Sequence, residues 1–269
     1  MHFWLMDSMK LEHAPPGRRV YALVCLVLVF GTLFYVIEGP FIRPIANQQV
    51  RPARAAIIDE LSGTIPNPVF VNDAAAQLVA AGFKVDYYGP NQVTVALLAH
   101  LPLMGYGLVI FRDHSTGGTG DPVSILTSEP YSAGEYRLEQ LTGQLARAIV
   151  STSVADYFAI TPEFVRVAMQ GAFSSTIILM MGCTGLANSE MATAFVAKGA
   201  AVYVSWEQVI YAWRTDLAIV SLLKSLVAGR TLDTAVTTAT NNIPPDPIYN
   251  SQLAYYPLTQ AGLRLTEQS

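Results

Sequence analysis

The sequence predicts an α/β fold in which helices cover both faces of a mostly parallel sheet, in a three-layer, doubly wound arrangement. Two patterns in the 269-residue chain predict it. Short apolar runs, typical of strands that are buried on both faces, alternate with segments of helical periodicity. Glycine, proline and N-cap residues mark the boundaries between them. This alternation favours parallel strands that are joined by right-handed crossovers.

The unit that defines the pattern lies between residues 174 and 206. It predicts a buried strand, a glycine-flanked turn, a helix and a second buried strand, at Ser175–Met181, Gly182–Gly185, Glu190–Lys198 and Ala200–Ser205. Ser189 is the expected N-cap of the helix, and Gly199 is its expected stop. Chemistry in open α/β sheets lies outside the carboxyl ends of the strands. Cys183, in the turn that follows the first of these strands, is placed there.

The flanking segments extend the same alternation. Three further strands are predicted, at Ala55–Asp59, Lys84–Tyr88 and Tyr106–Arg112. Helices are predicted at Val71–Ala81, Val93–Leu103, Thr161–Met169, Arg214–Ala228 and Thr231–Thr240. The segment Ser115–Phe158 is the least regular, with short strands expected at Val123–Thr127 and Arg147–Ser151. Long insertions of this kind tend to be lids or binding loops over a functional edge.

Charge and hydropathy limit the class of protein. The net charge is −4 and there is no basic stripe, which argues against nucleic acid as a partner. The segment Val20–Ile37 contains no charged residue and is about long enough to cross the hydrocarbon core of a bilayer. No small-x-small cleavage site follows it closely. The sequence therefore favours an uncleaved signal anchor over a cleaved signal peptide.

The predicted domain organisation follows from these segments. It consists of a short polar lead, a transmembrane signal anchor, a stalk, a globular domain and an extended C-terminal tail, at residues 1–19, 20–37, 38–54, 55–242 and 243–269. The adjacent pair Arg18 and Arg19 favours a cytoplasmic N-terminus. The expected localisation is a single-pass membrane protein whose globular domain is extracytoplasmic.

Two residues at predicted strand ends carry the candidate chemistry. The chain has two cysteines, Cys25 in the apolar span and Cys183, so neither an intrachain disulfide nor a zinc cluster is expected. His114 lies in the polar loop after the strand Tyr106–Arg112. If the two strands are parallel neighbours, the imidazole and the thiol meet at one edge of the sheet as a Cys/His dyad. A lone buried cysteine is more often an inert thiol.

This pair of strand ends resembles the caspase-like clan of cysteine peptidases, which includes caspases, metacaspases, gingipains and separases. That family places its His after the third strand and its Cys after the fourth, in an A-C-x-G-like turn. The corresponding residues here are His114, followed by Ser115, and the turn Gly182–Gly185. The segment Val204–Glu207 is similar to the V-S-W segment that lines the caspase specificity pocket. The resemblance covers about residues 55–242, and it departs at Ser115, where the family prefers Gly.

The resemblance implies a catalytic role for three residues. Cys183 is the nucleophile that attacks a peptide carbonyl, and His114 is the general acid and base. The backbone N–H groups of Ser115 and Cys183 form the oxyanion hole. Asp113 could orient His114, although an exposed loop acid is the simpler interpretation.

A substrate pocket is expected beside the dyad. Trp206 forms a wall of it or packs in the core, and Glu207 stands where caspases have the Arg that pairs with an acidic P1 side chain. Together with Asp59 and Glu60 at a neighbouring strand end, Glu207 would favour Arg or Lys at P1. The alternative is that all three acids are solvated residues at the ends of strands.

The expected function is hydrolysis of protein or peptide substrates by a membrane-anchored cysteine endopeptidase. No metal site and no cofactor is expected, and the sequence leaves calcium dependence, oligomeric state and the physiological substrate open. A catalytically inactive caspase-like module that binds a partner at the same edge is the alternative. A doubly wound domain that binds a small molecule is a third hypothesis. The chain lacks the G-x-S-x-G elbow, the P-loop and a strand-associated G-x-G-x-x-G fingerprint.

Overall fold

Two β-sheets organise the part of the chain that the computed structural model describes, which is residues 51–118, 120–149, 155–243, 245–246 and 248–265. The strands are β1 (Arg54–Asp59), β2 (Lys84–Tyr88), β3 (Leu108–Arg112), β4 (Ser115–Thr116), β5 (Ser124–Pro130), β6 (Leu145–Ile149), β7 (Asp156–Ile160), β8 (Thr176–Met180), β9 (Ala200–Trp206) and β10 (Leu253–Tyr256). Strands β4 to β7 form a small sheet, and the other six form the main sheet.

The main sheet has the strand order β10-β9-β8-β3-β1-β2. Its neighbours run parallel except for β10, which pairs antiparallel with β9. The mixed α/β architecture with a mostly parallel sheet, which the alternation of apolar runs predicts, is confirmed. Strand β10 lies within the predicted extended tail, so part of that tail completes one edge of the sheet.

Helices lie on both faces of the main sheet. The helices are α1 (Pro68–Ala80), α2 (Val95–His100), α3 (Arg137–Leu141), α4 (Pro162–Val167), α5 (Glu190–Ala197), α6 (Ala212–Val227) and α7 (Leu232–Asn242). The short helix α3 instead contacts β6 of the small sheet. The α6 face of the sheet, with Ile110 and Leu179, shares a core with Leu222 of α6 and with α1 and α7. The α5 face, with Phe111, shares a core with Phe195 of α5 and with α2 and α4. Burial on both faces explains why these strands are apolar throughout.

Side-chain caps fix where several helices begin. The Asn67 side chain accepts the N–H of Phe70 at 3.1 Å at the start of α1, and Thr161 accepts the N–H of Phe164 at 3.3 Å at the start of α4. Each bond satisfies one of the orphan donors of a first helical turn. The cap predicted at Ser189 is different, since its side chain makes no cap hydrogen bond. The side chain of Asn188 instead accepts the N–H of Glu190 at 3.1 Å.

The small sheet occupies the segment that the sequence predicts as irregular. Its order is β4-β5-β7-β6, and its neighbours are antiparallel. The predicted strands Val123–Thr127 and Arg147–Ser151 correspond to β5 and β6, whereas β4 and β7 were not predicted. Strand β4 has two residues and β7 is only partly buried at its start, and such segments are harder to recognise than a continuous apolar run.

The predicted transmembrane helix requires a correction. Within the described ranges of residues 51–265, the structure has no helix that is long and apolar enough to cross a membrane. The predicted signal anchor Val20–Ile37 lies outside the described residues, as do the polar lead and most of the stalk. The membrane anchor, the single-pass localisation and the extracytoplasmic placement therefore have no support in the described residues.

Candidate active site

Two loops leave the carboxyl edge of the main sheet from adjacent strands, β3 and β8. These strands pair in parallel, with Phe111 opposite Met180. The same register, continued past the strand ends, sets His114 beside Cys183. Counted along the chain within the main sheet, β3 is the third strand and β8 is the fourth. The fold thus brings the two candidate residues to neighbouring positions on one edge.

The Cys183 thiol is half-buried and packs against the core of the α6 face. It donates to the carbonyl oxygen of Ile210, which lies 3.5 Å from Sγ in the segment that follows β9. The backbone N–H of Cys183 makes no hydrogen bond to any residue in the described ranges. This N–H thus has no acceptor among the described residues, which a donor of an oxyanion hole also requires.

The His114 imidazole is also half-buried, and it contacts the loop that follows β1. Its Nε2 lies 3.2 Å from Oγ1 of Thr64, while its backbone N–H donates to a carboxyl oxygen of Glu60 at 3.1 Å. Strands β1 and β9 flank the β3–β8 pair on opposite sides. The imidazole therefore contacts the loop after β1, and the thiol contacts the segment after β9. No hydrogen bond joins His114 to Cys183 in the described structure.

A short hydrogen bond ties the two loops together. The Ser115 hydroxyl donates to the carbonyl oxygen of Cys183 at 2.5 Å. This close approach of the two loops requires a glycine before Cys183, since a Cβ on Gly182 would lie 2.2 Å from Ser115 Oγ and 2.7 Å from the Asp113 carbonyl oxygen. The two residues predicted to form the oxyanion hole are thus in contact, through the Ser115 side chain.

The residue after Cys183 has a strained backbone. Thr184 has a φ of 55°, which is a genuine outlier for a β-branched residue, and its buried hydroxyl has no hydrogen-bond partner among the described residues. Its N–H donates to the carbonyl oxygen of Gln208 at 3.0 Å. Such strain tends to cluster at active sites, where the surrounding structure holds a residue in a rare conformation.

We expect Thr184→Gly to raise the free energy of unfolding by about 1 kcal/mol, because glycine adopts positive φ without strain. Urea unfolding of the purified domain measures it. Thr184→Ala is the matched control, since it removes the unpartnered hydroxyl but keeps a Cβ at positive φ, and it should gain less. A Thr184→Gly variant that is less stable than the wild type would contradict the assignment of strain to this position.

Two of the predicted substrate-binding residues are buried in internal contacts. The Asp59 carboxylate is fully buried and accepts hydrogen bonds from Arg112, the Ser62 N–H and the Tyr87 hydroxyl, at 2.9, 3.0 and 3.1 Å. Trp206 is 2% exposed, and its indole N–H donates to Thr215 at 2.8 Å. Both side chains are thus committed to the interior, where they do not face a substrate.

The other two predicted pocket residues have different surroundings. Glu60 is 6% exposed and supports the His114 backbone as described above. Glu207 is exposed, so its carboxylate is the one predicted P1 contact that solvent reaches freely. The prediction of solvated strand-end acids fits Glu207 and is wrong for Asp59 and Glu60.

Sequence reasoning missed a buried ion network beneath this edge. The fully buried guanidinium of Arg112 binds Asp59 at 2.9 Å and Asp216 of α6 at 2.8 Å, and it also donates to the Ile65 carbonyl oxygen at 2.9 Å. Asn67 donates a further hydrogen bond to Asp216 at 2.8 Å. The network fixes β1, β3 and α6 relative to one another just below the His114 loop.

Two exposed aromatic residues lie in the segment that follows β9. Tyr211 and Trp213 follow Ile210, whose carbonyl oxygen accepts from the Cys183 thiol, and they are 42% and 56% exposed. The Tyr211 ring contacts that of Tyr249, with 6.0 Å between centroids. The sequence offered one signal for this surface, which is the density of aromatic residues directly after the V-S-W-like segment.

The described residues contain no group of three or more His, Cys, Asp or Glu side chains that could hold a metal ion. No known protein family matches the chain, and no curated protein is significantly similar to it. The function has to be inferred from the geometry at the carboxyl edge of the main sheet.

Proposed function

We propose that residues 55–242 contain a caspase-like cysteine peptidase domain with Cys183 as nucleophile and His114 as general acid and base. One observation carries the proposal, which is that both residues follow adjacent parallel strands in register and are half-exposed at the carboxyl edge. Open α/β sheets present their chemistry at this edge. The positions after the third and fourth strands of the main sheet also agree with the resemblance in the sequence.

The reaction begins with transfer of the Cys183 thiol proton to the His114 imidazole. The thiolate attacks the peptide carbonyl carbon, and the Cys183 N–H donates to the oxyanion that forms. The intermediate collapses as the imidazolium protonates the leaving amine, which leaves a thioester on Sγ. A water then gives a proton to His114 and attacks the thioester, and the acid product and the thiol are released.

The contacts of the two side chains describe a site without substrate. Catalytic hydrogen bonds in such sites are often long and tighten only when the substrate is bound. A substrate carbonyl at the edge would displace the thiol from the Ile210 carbonyl oxygen and draw the imidazole from Thr64 towards the thiol. Both loops leave paired strands of the main sheet, and the Ser115–Cys183 hydrogen bond joins them, which limits how far the two backbones can move apart.

The surface beside the thiol indicates which side chains a substrate presents. The exposed carboxylate of Glu207 favours a basic P1 residue, and the exposed rings of Tyr211 and Trp213, a few residues later in the chain, offer an apolar surface. A peptide that combines Arg or Lys with a neighbouring apolar residue matches this surface best.

A thiol-directed peptide probe tests the proposal without knowledge of the natural substrate. In a Cys25→Ser background Cys183 is the single thiol of the chain. We expect a peptidyl chloromethyl ketone with Arg at P1 to label Cys183 at neutral pH. The labelling rate should be at least tenfold higher than the rate for the same protein with His114→Ala. Mass spectrometry of the tryptic peptides identifies the labelled residue, and a Cys183→Ser variant gives the background.

Labelling at the rate of free cysteine, unchanged by His114→Ala, would exclude the dyad. The alternative of a catalytically inactive caspase-like binding module would then replace it. A matching probe with Asp at P1 reports on the pocket separately. Faster labelling by the Asp probe would contradict the role of Glu207 and leave the dyad intact.

A further inference from the structure

Two acidic side chains occupy neighbouring positions one residue beyond the ends of β1 and β3. Asp59 pairs with Arg112 in the register of these strands, and the next positions are Glu60 and Asp113. Because side chains alternate between the faces of a sheet, Asp59 and Arg112 point to the α6 face, where they form their ion pair. Glu60 and Asp113 follow on the α5 side of the same edge.

Burial makes this pair unusual. Asp113 is 1% exposed and Glu60 is 6% exposed. Neither carboxyl group has an ion-pair partner among the residues that the structure describes. Both oxygens of Asp113 lack any hydrogen-bond donor there, whereas Glu60 accepts the backbone N–H of His114 at 3.1 Å. Two ionised carboxylates in this setting would repel each other, and no cation among the described residues lies within ion-pair distance of either.

Retaining one proton removes the repulsion. Burial, followed by the negative charge of Glu60, holds the pKa of Asp113 well above its usual range. Burial also raises the pKa of Glu60, while the charge of His114 and the hydrogen bond from its N–H act in the opposite direction. A proton on Asp113 turns the contact between the two acids into an O–H···O hydrogen bond, as in other carboxyl pairs that titrate as one unit.

We propose that Glu60 and Asp113 share one proton and act together as positioning residues that hold the His114 backbone in place. Neither residue touches the substrate. Charged Glu60 fixes the His114 N–H, and protonated Asp113 neutralises the repulsion that would otherwise push Glu60 away. The catalytic consequence rests on the proposed peptidase function, whereas the shared proton does not.

Three titratable groups outside the pair act on it, and each lies on a different element of the fold. They are Asp59 on β1, His114 on the loop after β3, and Tyr203 on β9. Asp59 carries a charge that Arg112 balances on the α6 face. The hydroxyl of Tyr203 is fully buried, and burial raises the pKa of Tyr203, so it stays neutral while the pair titrates.

The pH dependence follows from the retained proton. The unfolded chain releases it near pH 4, the ordinary range of a carboxyl group, whereas the folded pair keeps it to a higher pH. The folded state then binds more protons than the unfolded state, so this pair contributes stability that is full below about pH 4 and is lost as the pH rises through the folded pKa. Loss of the proton also frees the His114 backbone, so activity falls as the pH rises through the same folded pKa.

The variant Asp113→Asn tests the proposal because its amide keeps a donor towards Glu60 but cannot lose a proton. We expect its folding equilibrium constant, relative to that of the wild type, to rise by up to tenfold per pH unit above about pH 4 and then level off. Urea unfolding from pH 4 to pH 9 measures this ratio. Glu190→Gln, at an exposed acid at the start of α5, is the control and should give a flat ratio.

A flat ratio for Asp113→Asn would overturn the shared proton. If the variant does not fold, the reciprocal Glu60→Gln is unfolded in the same way. The infrared carbonyl band of a protonated carboxylic acid is also followed in the wild type as the pH rises from about 4, the ordinary carboxyl range. A band that disappears within that ordinary range overturns the proposal. Hydrolysis of a peptide substrate supplies the second arm, in which Asp113→Asn should lose the fall in kcat/KM that the wild type shows as the pH rises through the folded pKa. The stability ratio could follow the expectation while the protein hydrolyses no peptide. That outcome would support the shared proton and contradict the proposed peptidase function.

Discussion

Replacing Cys183 with alanine is expected to abolish peptide hydrolysis, with a loss of about 10⁴-fold or more in kcat/KM. The proposed thioester forms on Sγ, and no second thiol lies in the described structure to replace it. His114→Ala should cost a similar factor, because the thiol then has no base and the leaving amine has no acid. Steady-state hydrolysis of a fluorogenic peptide with Arg at P1 measures both.

The double variant separates a dyad from two independent residues. Residues that act as one unit have non-additive effects, so Cys183→Ala combined with His114→Ala should be no less active than Cys183→Ala alone. Thr64→Val is the matched control for the His114 contact in the unliganded site, and it should change kcat/KM by less than about tenfold. Full activity in Cys183→Ala would contradict the proposed function.

Replacing Arg112 with methionine is expected to lower the free energy of unfolding by about 3 to 5 kcal/mol, because it leaves two carboxylates with no counter-charge in the interior. The guanidinium has no exposed surface and binds Asp59 and Asp216 together. Urea unfolding followed by circular dichroism measures the change. A marginally stable domain would lose much of its total stability in this way.

The matched control for Arg112 is an arginine in an exposed ion pair. Arg166 binds Glu163 at 3.2 Å on the surface of α4, and Arg166→Met should change stability by no more than about 0.5 kcal/mol. Arg112→Lys provides an intermediate case, since an ammonium group keeps the charge but cannot reach both carboxylates with the same planar geometry. An Arg112→Met variant as stable as the control would show that the buried network contributes little.

The main sheet could be predicted because its strands are buried on both faces. A run such as Ile177 to Met180 has no polar position, and it leaves no interpretation other than a buried element. Strands β4 and β7 could not be predicted in the same way. Strand β4 has two residues, and β7 begins with the less buried Asp156 and Tyr157. Strand β10 was obscured by the prolines around it.

The candidate site was predictable to the level of strand ends and no further. Local sequence places His114 and Cys183 after apolar strands, but their side-chain contacts depend on Thr64 and Ile210, which belong to other loops. Asp59 was expected at a substrate pocket because its partner in the interior is 53 residues away in the chain. A charge that looks solvated in the sequence is buried when a distant arginine neutralises it.

The long insertion between β3 and β8 has a consequence for how the protein matures. Ser115 and Cys183 are hydrogen-bonded although 68 residues separate them, and contacts of such sequence separation form late because the closure of long loops is entropically unfavourable. A nascent chain that has emerged only as far as the insertion carries its histidine without its thiol. The proposed peptidase therefore stays inert during synthesis, and its chemistry begins only when the central strands have come together.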